Sequence, residues 1–137
     1  VIDSPATLHQ IALKLLAEGQ EARAGRTALG AALTHARDLL LDRSHCETLT
    51  LDVSGDGVNN SGDAPETVKG DLERLGIGVN ALVIEGAEED LTAYFWENVI
   101  YGEGAFVVTA NDFPEYPPRI RQKLRRETTK QTAELRR

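Results

Sequence analysis

The chain has 137 residues, 41% hydrophobic and 27% charged, with no apolar run long enough to cross a bilayer. That length fits one domain able to bury a core, and the single Cys46 excludes both an internal disulfide and a thiolate metal cluster. The net charge of −7 is uneven: residues 117–137 hold eight Lys/Arg against two Glu, and the other 116 hold seven basic against twenty acidic residues, a net of −13.

The chain opens without Met, and Val1-Ile2 reads as the last turn of an element already under way, so the lack of a signal peptide carries no information. Asp3-Ser4-Pro5 supplies a helix start, and Leu8, Ile11, Ala12, Leu15 and Leu16 at helical spacing predict a helix from about Pro5 to Glu18, stopped by Gly19. After a polar loop, Thr27 is expected to open and cap a second helix reaching Leu41, with Leu29, Leu33, Ala36 and Leu40 on one stripe. Thr, Leu and Val over 47–53 predict a strand. Asp63-Ala64-Pro65-Glu66 starts a helix ending near Leu75-Gly76, and the apolar run 77–84 predicts a strand covered on both faces. Glu88 to Ile100 reads as a helix with Phe95 and Val99 inward and Trp96 half-buried, and 104–109 as a third strand. Pro114, Pro117 and Pro118 lead into a last helix that continues as the basic tail. No aromatics are interleaved with Arg119, Arg121, Lys123, Arg125 and Arg126, and the acidic body would repel phosphate. The tail therefore reads as a solvated face rather than a nucleic-acid contact.

Helices alternating with strands imply a parallel sheet with helices on both faces. Three strands are few for five helices, so the expected architecture is the C-terminal part of a larger α/β sheet, over 1–116, with a C-terminal basic helix over 117–137 packed on it or extending from it.

In such sheets ligands gather at the carboxyl ends of the strands, which places the loops 54–63, 85–88 and 110–116 together and allows the segment before the second helix to join them. Asp52, Ser54, Asp56, Asn59, Asn60 and Asp63 then concentrate hard oxygen donors suited to Mg²⁺, Mn²⁺ or Ca²⁺. A loop whose side chains satisfy their own backbone and cap the next helix is the alternative. A second alternative is a calcium-binding structural loop at 52–63, since oxygens fall at positions 1, 3, 5, 9 and 12 with Gly at position 6. Against it stand Asp63 in place of the bidentate Glu, Asn59 at a position that normally packs, and a strand where that motif needs a helix. Catalysis is not expected. His9, His35 and His45 have no nucleophile at a telling spacing, and Ser54 in S-G-D-G forms no nucleophile elbow. Asp52 could imitate a phospho-accepting Asp, but no Lys follows the third strand, so a metal-dependent hydrolase or phosphotransfer domain is a distant alternative.

Four segments, D-V-S-G-D-G-V-N-N, G-R-T-A-L-G-A-A-L, E-N-V-I-Y-G-E-G-A-F-V-V and D-F-P-E-Y-P-P-R-I-R-Q-K-L-R-R-E, resemble an uncharacterised bacterial family of von Willebrand factor A-like proteins. The resemblance covers nearly the whole chain. It implies a Rossmann-like A domain with a metal-ion-dependent adhesion site for Mg²⁺ or Mn²⁺, in which Thr27 of GRTALG and Asp56 of SGDG match two of the ligands. The remaining family element, D-x-S-x-S, is absent from the 137 residues and is expected upstream of Val1 with the missing strands. The resemblance further implies a non-catalytic protein-binding role toward an acidic side chain of a protein ligand, association with the segment supplying the missing strands, and a periplasmic or secreted location.

Overall fold

A computed structural model describes residues 4–17, 26–43, 46–86 and 90–134. The expected helix stop at Glu18-Gly19, His45, the helix start at Glu88 and the last three residues of the basic tail lie outside them. The elements run α1 (Pro5–Ala17), α2 (Leu29–Leu41), β1 (Leu49–Gly55), α3 (Glu66–Arg74), β2 (Ile77–Ile84), α4 (Leu91–Asn98), β3 (Val107–Ala110), a 3₁₀ turn (Phe113–Glu115) and α5 (Tyr116–Glu134). The strands form one parallel sheet in the order β1-β2-β3, with Leu51 beside Val79 and Val83 beside Thr109. Helices flank it on both faces, as expected of a Rossmann-like α/β fold.

Strand periodicity divides the core in two. Ile77, Val79, Ala81 and Val83 of β2 face α2, α3 and α4, where Leu29, Leu33, Val68, Leu72, Leu91, Phe95 and Val99 complete a buried cluster. Leu82 and Ile84 face the other way and join Phe106, Val108 and Ala110, with Tyr116 and Ile120 of α5 laid over them. Only one position of β2 escapes full burial, so the strand must be apolar throughout. Pairs four apart set the inward stripes: Leu29 and Leu33, Val68 and Leu72, Leu91 and Phe95. Burying Phe95 completely is worth roughly 1.5–3 kcal/mol. Its neighbour Trp96, a helical step of about 100° away, is 58% exposed rather than half-buried as expected.

Element ends depart from the sequence reading for local reasons. β1 runs to Gly55, two residues beyond expectation, because Asp52 through Gly55 pair with Asn80 through Val83. α4 begins at Leu91 after Asp90, which adopts a left-handed conformation (φ 61°). β3 begins at Val107, because Gly102 and Gly104 at φ 104° and 66° turn the chain just before it. α3 ends where Gly76, at φ 65°, donates its N–H to the Glu73 carbonyl. Pro117 and Pro118 sit inside the first turn of α5, where a missing N–H costs nothing.

α5 is held down by charge as well as by apolar contact. Lys123, 1% exposed, places Nζ 2.5 Å from Asp52 of β1 and 2.6 Å from Glu127 one turn further along α5. Asn80 donates from Nδ2 to Glu127 and accepts the Phe106 N–H, and the Arg126 guanidinium lies 3.9 Å over the Phe106 ring. Burial pushes the Glu127 carboxyl above its ordinary value of 4.5, with Lys123 opposing the shift and Asp52 adding to it. A raised folded-state value means that the folded chain takes up this proton more readily than the unfolded one. The associated stability is full below the unfolded value and is lost as pH rises through the folded one. Glu127→Gln removes that dependence, so chemical denaturation across and above pH 4.5 should show the variant gaining on the parent protein as pH rises.

Gly30 gives a second expectation. A Cβ there would lie 2.1 Å from the Asp63 carbonyl oxygen, so α2 packs directly on the backbone that follows β1. Gly70 on α3 has nothing within 4 Å of the same position. Gly30→Ala should lower urea-unfolding stability by about 1–3 kcal/mol, whereas Gly70→Ala should raise it by up to about 1 kcal/mol.

Candidate functional site

The loop leaving β1 is assembled by two side-chain amides. Asn60 Oδ1 accepts the Thr27 N–H at 2.7 Å, and the Asn60 N–H donates to the Thr27 carbonyl at 2.9 Å. The Ser61 N–H reaches the same carbonyl at 3.2 Å. Asn59 uses three groups: Oδ1 accepts the Leu29 N–H at 2.7 Å, Nδ2 donates to the Asp63 carbonyl at 3.3 Å, and its N–H donates to the Tyr94 hydroxyl at 3.2 Å. One dipeptide thereby fixes the entry to α2, its own loop and the outer side of α4.

Thr27 does not cap α2. The helix starts at Leu29 with Ala28 at the N-cap position, and the cap bond comes from Asn59, thirty residues away in sequence. Asn59 and Asn60 therefore serve the preceding helix; α3 begins without a side-chain cap bond. The Thr27 hydroxyl lies against Gly57, whose missing Cβ would stand 3.6 Å from Oγ1. Among the described residues no hydrogen bond engages that hydroxyl or the carboxylate of exposed Asp56. Gly55 has a steric reason to be glycine, because a Cβ there would meet the Phe95 ring at 2.8 Å. The two glycines around Asp56 thus lie against the core ring on one side and against Thr27 on the other.

The structure separates the other candidates. Asp52 and Ser54 lie within β1 and alternate onto the α5 face: Asp52 is bonded to Lys123, and Ser54 Oγ sits 3.5 Å from the Tyr116 hydroxyl. They are extended-strand residues and not part of the loop that carries Asp56, Asn59 and Asn60. In the linear match over 52–63 to a calcium loop, the first and third positions lie within β1 and face α5. Asp63 contributes its backbone carbonyl to Asn59. His9 and His35 are exposed, and no group of three or more His, Cys, Asp or Glu is placed to hold a metal among the described residues.

Other loops at this end are built as structure. Glu85 accepts from both the N–H and the hydroxyl of Thr92, and the Thr92 hydroxyl is 2.9 Å from that of Thr109, which locks the start of α4 to β3. Glu115 accepts from the backbone and side chain of Asn111. Those bonds, aided by Arg119, hold its carboxyl below the ordinary value. The pairing of Asn59 and Asn60 with the Thr27 segment is the feature that sequence reasoning missed. Its only trace in the sequence is the N-N doublet after a strand, which fits a local turn equally well.

A parallel sheet with its polar loops gathered at the strand carboxyl ends defines a Rossmann-like α/β domain. Residues 1–132 match the family described as "Protein of unknown function (DUF1194)", and the chain belongs to that family. No curated protein and no solved structure matches it. Among the described residues no helix is long and apolar enough to cross a membrane.

Asn59→Ala removes the distant cap of α2 together with the tie to Asp63, and should cost about 1–2 kcal/mol in chemical denaturation. Asn60→Asp keeps the acceptor for the Thr27 N–H and should cost far less than Asn60→Ala.

Proposed function

We propose that this chain is part of a von Willebrand factor A-like, non-catalytic protein-binding domain whose Thr27 and Asp56 contribute to a metal-ion-dependent adhesion site for Mg²⁺ or Mn²⁺. One observation supports the reading: Asn60 bonds both backbone groups of Thr27, which lies against Gly57, the residue that follows Asp56. A hydroxyl and a carboxylate are the hard donors these ions take, and neither is committed to a hydrogen bond among the described residues.

Mg²⁺ takes about six oxygens and gives up water reluctantly. Two protein donors therefore bind it weakly, and further donors come from water and from the D-x-S-x-S element that the family resemblance places outside these residues. With few carboxylates in its shell the ion keeps net positive character. It can then accept a carboxylate from a protein partner, which makes binding metal-dependent and needs no bond-breaking chemistry. The same resemblance favours a periplasmic or secreted setting.

Mn²⁺ titration followed by amide NMR tests the assignment through paramagnetic broadening. Broadening should centre on residues 26–28 and 56–58, weaken under competing Mg²⁺, and vanish in Asp56→Ala. Broadening centred on Asp52 and Glu127, or thermal stabilisation by Ca²⁺ alone, would overturn the site and favour calcium binding elsewhere.

A further inference from the structure

The two candidate donors are mounted differently. Thr27 is held directly, because Asn60 bonds both of its backbone groups. Asp56 is reached through its neighbours, and both contacts come from consecutive residues of α4. On one side Gly55 lies against the Phe95 ring, so closely that a Cβ there would stand 2.8 Å from Cζ. On the other side the Asn59 N–H donates to the Tyr94 hydroxyl at 3.2 Å. Residues 56–58 therefore bridge two points on a single helix.

That helix is a firm support. Thr92 in its first turn bonds Glu85 through both its N–H and its hydroxyl, and the hydroxyl is 2.9 Å from that of Thr109 on β3. Near the other end, Lys69 of α3 donates to the Glu97 carbonyl at 2.5 Å. Phe95 is wholly buried, and its ring meets that of half-buried Tyr94 edge to face, with centroids 5.9 Å apart. Donors supported by rigid elements keep their geometry better than donors supported by loops alone.

Given the cation site at Thr27 and Asp56, on which this inference rests, we propose that Tyr94 is its positioning residue: the phenol, acting through the Asn59 N–H, fixes where the Asp56 carboxylate stands relative to the Thr27 hydroxyl. Mg²⁺ takes its oxygens at about 2.0–2.1 Å in near-octahedral geometry and tolerates little displacement of a donor. Without the phenol oxygen the Asn59 N–H loses its acceptor on α4, and the short bridge samples other conformations. A site that is competent in only a fraction of the molecules binds with its affinity reduced by that fraction.

The test is Mn²⁺ titration of the folded chain, read as paramagnetic broadening of the amides of residues 26–28 and 56–58, with thermal unfolding in EDTA beside it. Tyr94→Phe keeps the ring, removes only the hydroxyl and should weaken Mn²⁺ affinity about threefold to tenfold. Val108→Ala, in the apolar cluster under α5, lowers stability without touching the loop and should keep the parent affinity. Parent affinity in Tyr94→Phe would overturn the proposal while leaving the cation site standing. An equal loss in Val108→Ala would overturn it too, since affinity would then follow global stability. Absence of broadening at these amides in the parent protein would overturn the cation site and the role of Tyr94 together.

Discussion

The amides of Asn59 and Asn60 are the constraint from which the polar end of the molecule follows. Backbone groups at a helix start must find partners, and α2 has no capping side chain of its own. The missing acceptor is delivered by Asn59 from the loop after β1, so forming α2 and forming that loop are one event. The neighbouring amide closes a two-bond pairing with Thr27, and the Tyr94 hydroxyl ties in α4. The loop is consequently rigid for reasons unrelated to any ligand. Donors on a rigid loop lose little freedom on binding, and this preorganisation would serve the proposed cation site.

Much of the fold was legible because its signals are local. The 77–84 run matched β2 to the residue, since a strand buried on both faces can hold little else. The helical stripes of α2 and α4 followed from apolar spacing. Boundaries were less legible wherever the deciding contact is distant. Thr27 has the chemistry of a cap, and nothing near it in sequence reveals that Asn59 takes the role. Asp52 and Asp56 look like equal members of one acidic loop. Only the length of β1, fixed by pairing with β2, assigns the first to the α5 face and the second to the strand end. Lys123 reads as one charge among many in a basic helix, yet its ammonium is buried. The concentration of oxygen donors was legible, and its partition into two faces was not.

The Lys123 network poses an energetic question that apolar contacts do not. A buried ion pair gains little over well-packed apolar side chains, because desolvating the charges offsets most of their attraction. Here one ammonium meets two carboxylates and the Asn80 amide donates to one of them, so each polar group has a partner, and no buried side-chain polar atom among the described residues is left without one. Such an arrangement specifies more than it stabilises. Apolar contact alone would let α5 slide along Leu82, Ile84 and Phe106 with little penalty. Any shift in register, however, would separate the buried Lys123 from Asp52 and leave Glu127 as its ionic partner among the described residues.

That specification reaches β1 because Asp52 belongs to the strand and Lys123 to the helix. α5 lies on the face opposite α2, so β1 is located from both sides: by Leu51 and Val53 packed toward α2, and by Asp52 bonded toward α5. The end of β1, where Asp56 leaves the sheet beside Thr27, inherits its placement from Asp52 four residues earlier.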